Sequence, residues 1–314
     1  MMNNVYSMEP ISEKHLEKKN AFVFSYNHES RSKAIIDFMK SHDNSIESVL
    51  IIKYGEIELD SGICENLRNY KKYFIKVTNE PYDFVNGLKS IPCDFWCSDI
   101  LLDISCIRIP EMFTLMKFLK ECPDVDSVDV VYSMPYDYIF NAEPFTSYKS
   151  YLGDLTMYEV LGFSGTNENS QEKKLYLFMG FEGALGLKVV EDSTYTKLVL
   201  VNNLPSFFPK YKDISVINNY ELMKNHHDYI YTPADNPFET YNLLDKITDS
   251  NSSICIAPLS TKPVALGICL FALSHSEIRV VYPISSEYSQ ESTIETYKSI
   301  VYHVNLMKDN SDEE

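Results

Sequence analysis

The sequence reads NEPYDFVNGLKSI at residues 79–91 and DNPFETYNLLDKI at residues 235–247. Both segments place a proline after two polar residues, and an aromatic residue and an acid follow it. Asparagine, leucine and isoleucine then recur at the same offsets. Proline fits the first turn of a helix, where its missing N–H is not needed, and the polar residues before it can cap the helix. Each segment therefore predicts a capped amphipathic helix, and their likeness predicts an internal repeat.

Five short, mostly apolar segments extend this match in the same order on both sides of the two helices. They pair residues 21–26 with 175–180, 48–52 with 197–201, 73–77 with 228–232, 99–103 with 253–257, and 130–132 with 280–282. Short apolar runs between turn residues are typical of buried parallel strands. Helical patterns separate them, so residues 21–133 and 175–283 are predicted to form two similar parallel α/β units.

The predicted fold class is α/β, with two tandem Rossmann-like, doubly wound parallel sheets related by internal duplication. The first repeat is expected at residues 1–138, and the second, which we expect to be the ligand-binding half, at residues 174–314. Residues 139–173 are expected to connect them, with a short strand or hairpin around Met157 to Leu161 and a mobile loop after it.

The charge of the chain argues against nucleic acid as its main partner. Asp and Glu number 45 and Lys and Arg number 28, which gives a formal net charge of -17. Binding to the phosphates of a nucleic acid needs clustered Lys and Arg residues. A local basic pocket for a small anion is still compatible with this composition.

The sequence favours a cytoplasmic protein with no membrane partner. Residues 1–20 are polar and lack the apolar segment of a signal peptide. No stretch approaches the roughly 20 apolar residues that span a bilayer. The 7 cysteines are odd in number and scattered, which predicts free thiols with neither a disulfide nor a structural zinc ion. Cys93 and Cys97 lack a second ligand pair at zinc spacing.

Ligands of open α/β sheets bind beyond the carboxyl ends of the strands, where helix N-termini attract anions. Glycines follow the first strand of the second repeat, in a stretch that runs through Gly180, Glu182, Gly183 and Gly186. They either admit a ligand close to the backbone or simply form a tight turn. Their spacing matches neither the dinucleotide fingerprint nor the Walker loop.

The loop after the fourth strand of the second repeat carries the main indication of an anion site. Ser260 and Thr261 can cap the following helix and donate to an anion, and Lys262 places a cation at the same point. A lone cation at a helix N-terminus opposes the helix dipole, so a bound anion would explain Lys262. The alternative is a capped helix with a solvated lysine.

Polar side chains also follow the second and third strands of this repeat. They are Asn202 and Asn203, and then Asp235 and Asn236. These groups could hydrogen-bond a sugar or a base, or they could simply form Asx turns. With the glycines and the Ser260–Lys262 loop, they complete the predicted ligand site.

The first repeat shows weaker signals. Arg31 could pair with a phosphate or a carboxylate, although a surface position is the simpler expectation. The stretch Asp103-Ile104-Ser105 has no matching lysine, so this repeat is expected to lack the anion signal of the second. His226 and His227 are adjacent, so their rings point apart, and we expect them at the surface.

The residues from Ser260 to Gly267, placed after an apolar strand, resemble the strand-to-helix turn of CRISPR-associated Rossmann-fold sensor domains. Those domains carry a Thr-Lys pair in a similar setting and bind cyclic oligoadenylates as symmetric dimers. The resemblance implies a ligand of this class near Thr261 and Lys262. A tandem pair of such domains in one chain would mimic the dimer.

Three functions remain open from the sequence. The leading hypothesis is a ligand-sensing or partner-binding subunit of a bacterial, antiviral defence-type system, which binds a nucleotide or another phosphate-bearing small molecule and also a protein partner or a second copy. The second is a nucleotide-processing enzyme, a hydrolase or a glycosyl-transferring enzyme, that uses Glu182 or Asp235 as acid or base. The third is a structural subunit of a multi-protein complex. The residues identify no complete catalytic set and no cofactor.

Overall fold

Both repeat segments form helices with proline in the first turn. The helices span Pro81–Ser90 and Pro237–Ile247. The side-chain oxygen of Asn236 caps the second helix by accepting hydrogen bonds from the backbone N–H groups of Phe238 and Glu239. Glu80 holds the capping position of the first helix without a side-chain cap bond, and Asn79 lies outside the described residues.

The computed structural model describes residues 7–27, 29–56, 58–78, 80–96, 99–139, 154–166, 171–226, 228–249, 251–285 and 292–306. The chain divides into two compact units. Unit 1 comprises Met1–Tyr138 together with Gln290–Glu314, and unit 2 comprises Ile139–Ser289.

Unit 1 alternates strands and helices around one sheet. Its elements are β1 (Ser7–Pro10), β2 (Ala21–Tyr26), α1 (Arg31–Ser41), β3 (Ser48–Tyr54), α2 (Ser61–Asn66), β4 (Lys71–Val77), α3 (Pro81–Ser90), β5 (Ile100–Asp103), α4 (Ile109–Glu121) and β6 (Ser127–Tyr138), with β13 (Thr293–Asn305) from later in the chain. The sheet has the order β1-β13-β6-β5-β2-β3-β4, in which β13 is antiparallel to both of its neighbours.

Unit 2 repeats this plan. Its elements are β7 (Leu155–Ser164), β8 (Lys173–Phe178), α5 (Gly183–Asp192), β9 (Lys197–Asn203), α6 (Pro209–Asn218), α7 (Tyr220–Met223), β10 (Tyr229–Thr232), α8 (Pro237–Ile247), β11 (Ser253–Pro258), α9 (Lys262–Ser274) and β12 (Arg279–Ser285). The sheet has the order β10-β9-β8-β11-β12-β7, and only β7 is antiparallel.

The two sheets share one strand order. Counted along the chain, the five parallel strands of each unit lie in the order third, second, first, fourth, fifth. Helices connect consecutive strands, and the order reverses direction beside the first strand. Each sheet is therefore a doubly wound Rossmann-like sheet, and the predicted α/β fold with internal duplication is confirmed.

The sixth strand of each sheet comes from outside the repeated segment. In unit 1 it is β13, which pairs with β6 from Asn305 and Ser127 to Thr293 and Tyr138. In unit 2 it is β7, within the region where the sequence indicated a connector with a short strand or hairpin. Residues 290–314 thus belong to unit 1, whereas the sequence-based division placed them in the second repeat. The reason is that the open edge of β6 takes its hydrogen-bonding partner from the end of the chain.

Residues 140–153 and 167–170 of the expected connector lie outside the described residues.

The register of the strands corrects one detail of the repeat. Phe22 pairs with Val49 in unit 1, and Leu175 pairs with Leu198 in unit 2. Since Val49 and Leu198 are equivalent, Phe22 matches Leu175. The sequence match, which set Ala21 beside Leu175, was wrong by one residue in this strand. A slip of one residue exchanges the two faces of a strand, and both strands are apolar on both faces, so the pattern could not reveal it.

Helix α9 is buried along most of its length and packs closely on α8. Gly267 is the contact point: a Cβ atom at this position would lie 2.2 Å from the Pro237 carbonyl oxygen and 2.7 Å from the Thr240 Cβ. Glycine is required because any side chain would push the two helices apart. Among the helices in the described ranges, none combines the length and the hydropathy needed to cross a bilayer.

We expect Gly267→Ala to destabilise the protein by about 1–3 kcal/mol, the range for overpacking a tight contact. The measurement is urea unfolding followed by circular dichroism. Gly62→Ala in α2 is the control, because its added Cβ would meet only a side-chain oxygen at 3.3 Å. Equal stability of the two variants would contradict the close packing of α8 and α9.

Candidate functional site

The predicted site lies at the carboxyl edge of the unit 2 sheet, where the strand order reverses. Strands β8 and β11 are neighbours at this point, with Phe178 paired to Pro258 at their ends. Leu175 and Leu177 pack against Val189 of α5 on one face of the sheet. On the other face, the Tyr176 hydroxyl donates to the carbonyl of Ile247 at the end of α8. The loops that leave β8 and β11 therefore enter helices on opposite faces, as at ligand sites of doubly wound folds.

The loop between β11 and α9 is held by its two hydroxyl groups. Thr261 caps α9, since its oxygen accepts a hydrogen bond from the Val264 N–H at 3.4 Å. The same hydroxyl donates to the Ala234 carbonyl at 2.6 Å, and Ser260 donates to the Asn203 side-chain oxygen at 2.6 Å. These bonds tie the loop after β11 to the loops after β10 and β9.

The loops after β9 and β10 are also bound to each other. The Leu204 N–H donates to the Thr232 carbonyl at 2.9 Å, and the Ala234 N–H donates to the Pro205 carbonyl at 2.9 Å. Asn203 adds a long bond from its side-chain nitrogen to the Thr232 carbonyl at 3.4 Å. The second, third and fourth strands of the repeat thus end in one connected set of loops.

Lys262 is the first residue of α9 and is half-buried. The first turn of this helix contains no acidic residue. The positive charge of Lys262 and the positive end of the helix dipole therefore lie at the same place, which favours an anion there.

Asn202 places a buried amide beneath this edge. It is 2% exposed, and its side-chain oxygen accepts from the Ser215 hydroxyl and from the Asn203 N–H. The Asn203 N–H can only donate, so it fixes which end of the amide is the oxygen. The Nδ2 group of Asn202 has no hydrogen-bond partner among the described residues. A buried donor without a partner costs about 1–3 kcal/mol, so such groups are rare and favour an acceptor that the protein does not supply.

Close backbone contacts account for two of the glycines in the predicted site. A Cβ atom at Gly180 would lie 2.1 Å from the Leu259 carbonyl oxygen, and one at Gly183 would lie 2.0 Å from the Asn218 carbonyl oxygen. Both glycines therefore admit the chain's own backbone, in keeping with the tight-turn alternative that the sequence left open. Glu182 holds the capping position of α5 without a side-chain cap bond.

Two polar residues follow β10, and one of them has a structural role. Asn236 uses its side-chain oxygen to cap α8, which is the Asx role that the sequence left open. Asp235 precedes it and is half-buried. Of the predicted residues, the structure brings Asn203, Ser260 and Thr261 into one bonded group, to which Asn202 is joined through the Asn203 N–H. Gly180 touches the same loop at Leu259.

Unit 1 contains a buried ion pair that the sequence did not identify. Arg31 was expected at the surface, but it is 8% exposed and donates from Nε and Nη2 to the Glu29 carboxylate. Glu29 is 4% exposed and also accepts from the Ser292 N–H and the Thr293 hydroxyl. The neighbouring Arg31 and these hydrogen bonds outweigh burial and lower the pKa of Glu29. The pair was not predictable because Ser292 and Thr293 come from the other end of the chain.

Asp103 is a second buried acid of unit 1, at the end of β5. Its Oδ1 accepts from both the N–H and the hydroxyl of Ser105, which in turn accepts from the Ser133 N–H. Burial raises the pKa of Asp103 to about 6, against the opposing effect of the Ser105 hydrogen bonds and the charge of Arg31. Asp103 therefore titrates close to neutral pH.

The final helix of the unit 1 sheet also begins beside a cation, which the sequence comparison missed. Arg108 holds the capping position of α4, with Pro110 in the first turn, as Thr261 and Pro263 do for α9. The guanidinium carbon of Arg108 lies 4.2 Å from the centre of the Tyr54 ring. The backbone N–H of Arg108 donates to the Tyr54 hydroxyl at 2.8 Å. Alignment on the two prolines, in place of a search for lysine, would have found Arg108.

Cysteines and histidines form no recognised centre in the described residues. The described cysteines, Cys64, Cys93, Cys106, Cys122, Cys255 and Cys269, are free thiols. Within the described ranges, no group of three or more His, Cys, Asp or Glu residues is placed to hold a metal ion. Cys97 and His227, on which two of the sequence-based expectations rest, lie outside those ranges.

No protein family of known sequence profile matches the chain, and no curated protein matches it. Among solved structures, a protein described as a universal stress protein from Pseudomonas aeruginosa UCBPP-PA14 is 9% identical, with 84% of this chain and 94% of that chain covered and a TM-score of 0.25. A universal stress protein from Archaeoglobus fulgidus DSM 4304 is 12% identical, with 88% and 99% covered and a TM-score of 0.23. The cytoplasmic domain of a prokaryotic cation chloride cotransporter is 11% identical, with 87% and 98% covered and a TM-score of 0.27. Scores of this size assign neither a family nor a function.

Asp103 leads to a prediction about pH. Its pKa rises from 3.8 in the unfolded chain to about 6 in the folded one, so the folded state binds more protons between these values. The free energy of unfolding therefore falls as the pH rises through this window and stays lower above it. Asp103→Asn should remove this penalty, on the order of 2–3 kcal/mol at about pH 8, and should give no such gain at about pH 4.

Urea unfolding at both pH values tests this expectation, with the exposed Asp124 changed to Asn as the control. A stability gain for Asp103→Asn that is the same at both pH values would exclude titration of Asp103 as its cause.

Proposed function

We propose that the chain is a ligand-binding protein and that the carboxyl edge of unit 2 binds a nucleotide or another phosphate-bearing small molecule. The observation that carries the proposal is the bonded set of loops around the start of α9. Ser260 and Thr261 fix this helix end to the loops after β9 and β10. Lys262 and the helix dipole then place positive charge on a rigid frame, which is the arrangement that binds phosphate groups in many proteins.

The buried amide of Asn202 supports the same proposal independently. Its Nδ2 group is a donor without a partner in the described residues, at the end of a strand next to the reversal point of the sheet. Phosphate, ribose and nucleobase oxygens are acceptors. A ligand of this class would satisfy the donor either directly or through a water molecule.

The finer proposal is a sensor that passes ligand binding on to a protein partner or to a second copy of the chain, in a bacterial defence-type system. It is supported by the resemblance of the residues from Ser260 to Gly267 to the turn of cyclic-oligoadenylate sensors and by the duplication of the sheet in one chain. In such a protein the bound ligand acts by shifting a conformational equilibrium, without chemistry at the site.

The test is Lys262→Ala, with binding measured by calorimetric titration of ATP and of a cyclic oligoadenylate. We expect this change to weaken binding by roughly 10- to 150-fold, which corresponds to about 1.5–3 kcal/mol for a hydrogen bond to a charged group. The melting temperature without ligand should barely change, because a partly exposed lysine contributes little to folding.

Lys246→Ala is the matched control, since Lys246 is an exposed lysine in the last turn of α8, at the opposite end of the unit 2 helices. It should leave both affinities unchanged. If Lys262→Ala lowers the melting temperature and leaves the affinities intact, its stem only covers apolar surface and the anion site is wrong. Absence of binding by the unaltered protein to both nucleotides and to inorganic tripolyphosphate would refute the proposed function.

A further inference from the structure

Aromatic rings gather at the same edge of unit 2 as the proposed anion site. The Phe181 and Tyr211 rings lie 5.4 Å apart between their centres and are tilted at 59°. Phe208 meets the same tyrosine edge to face, with ring centres 5.5 Å apart. Tyr211 is 2% exposed, whereas Phe181 and Phe208 are half-buried. The cluster therefore has a buried floor and two partly exposed rings.

The loops bring these rings to the frame that carries Lys262. Phe181 follows Gly180, whose backbone touches the Leu259 carbonyl in the loop before α9. Phe208 ends the loop after β9, and its carbonyl accepts a hydrogen bond from the Ser206 hydroxyl. That loop begins at Asn203, which is bonded to Ser260. Phe181 and Phe208 therefore each lie within about five residues of a contact between their own loop and the loop that enters α9.

The equivalent loop of unit 1 has a different composition. After β3 the chain reads GEIELD at residues 55–60, whereas after β9 it reads LPSFFP at residues 204–209. The first loop is acidic and ends in Asp60, which caps α2 by accepting from the Ile63 N–H. The second replaces acids by aromatic rings and removes negative charge from the edge. This difference is not needed by the shared fold, since both sheets have the same strand order.

We propose that Phe181 and Phe208 form a stacking platform for a nucleobase, so that the ligand of unit 2 is a nucleotide and not a sugar phosphate or a free phosphate. This inference rests on the proposed function and narrows it. A flat ring system stacks on half-buried aromatic side chains, and stacking contributes about 1–3 kcal/mol per base. Only a ligand with both an aromatic plane and a phosphate can use the platform and Lys262 together.

The test measures the affinity of the Phe208→Leu variant for ATP, for a cyclic oligoadenylate and for inorganic tripolyphosphate. Leucine keeps an apolar side chain but removes the aromatic face. We expect roughly 5- to 150-fold weaker binding of the nucleotide that the unaltered protein binds, the range that base stacking supplies, and unchanged binding of tripolyphosphate. Phe208→Tyr keeps the ring and should retain nucleotide affinity. Phe181→Leu changes the other loop and should act like Phe208→Leu.

Ile217→Ala is the matched control, because Ile217 is a 49% exposed apolar residue of α6 outside the cluster. It should change no affinity. Equal loss of nucleotide and tripolyphosphate binding in both leucine variants would show that the rings only shape the loops, and the platform would be overturned while the anion site stands. Nucleotide affinity unchanged in both variants would overturn it as well. If the unaltered protein binds neither nucleotide nor tripolyphosphate, the proposed function fails, and the platform fails with it.

Discussion

At the carboxyl edge of each sheet, the last residue of the second parallel strand reaches across the first strand to hold the loop that enters the final helix. In unit 2, Asn203 accepts the hydrogen bond of Ser260 at 2.6 Å. In unit 1, the Tyr54 hydroxyl accepts the N–H of Arg108 at 2.8 Å. The first strand lies between the two partners in both sheets. Each bond therefore closes the edge over the central strand and sets the position of the helix end that would meet a ligand.

Two positions at this edge differ in side-chain size between the repeats. Where one position is larger in one repeat, the other position is smaller. Ser25 pairs in register with Ile52, and Phe178 pairs with Val201, so Ser25 and Phe178 are equivalent. Unit 1 combines the small Ser25 with the large Tyr54, whereas unit 2 combines the large Phe178 with the small Asn203. Exchanges that conserve total volume are tolerated in close-packed regions. As a consequence, a ring fills the edge in unit 1, while amide groups remain at the edge of unit 2.

The two repeats also differ in the charged side chains that lie at this edge. Unit 1 buries Glu29 beside Arg31 at the start of α1, so an internal carboxylate already occupies that helix end. It also buries Asp103, where unit 2 has Ala257. Buried charges are costly unless they are paired and hydrogen-bonded, and Glu29 meets this condition through Arg31, Ser292 and Thr293. Unit 1 thus supplies hydrogen-bond donors of its own to both buried carboxylates, whereas unit 2 has Lys262 at the start of α9 and the buried amide of Asn202.

The sequence by itself determined the α/β class, the duplication and the doubly wound, parallel character of the sheets. It could do so because short apolar runs, prolines at helix starts and capping residues are local signals, and they occur twice in this chain. It also pointed to Asn203, Ser260, Thr261 and Lys262, since parallel strands bring their carboxyl ends to one edge whatever the side chains do. The tertiary structure alone decided the rest. The β13 strand, the Glu29–Arg31 pair with Thr293, and the packing of Gly183 against Asn218 all join residues that are distant in the chain. Such contacts depend on which surfaces pack together after the sheets form, and a short sequence pattern carries no information about that packing.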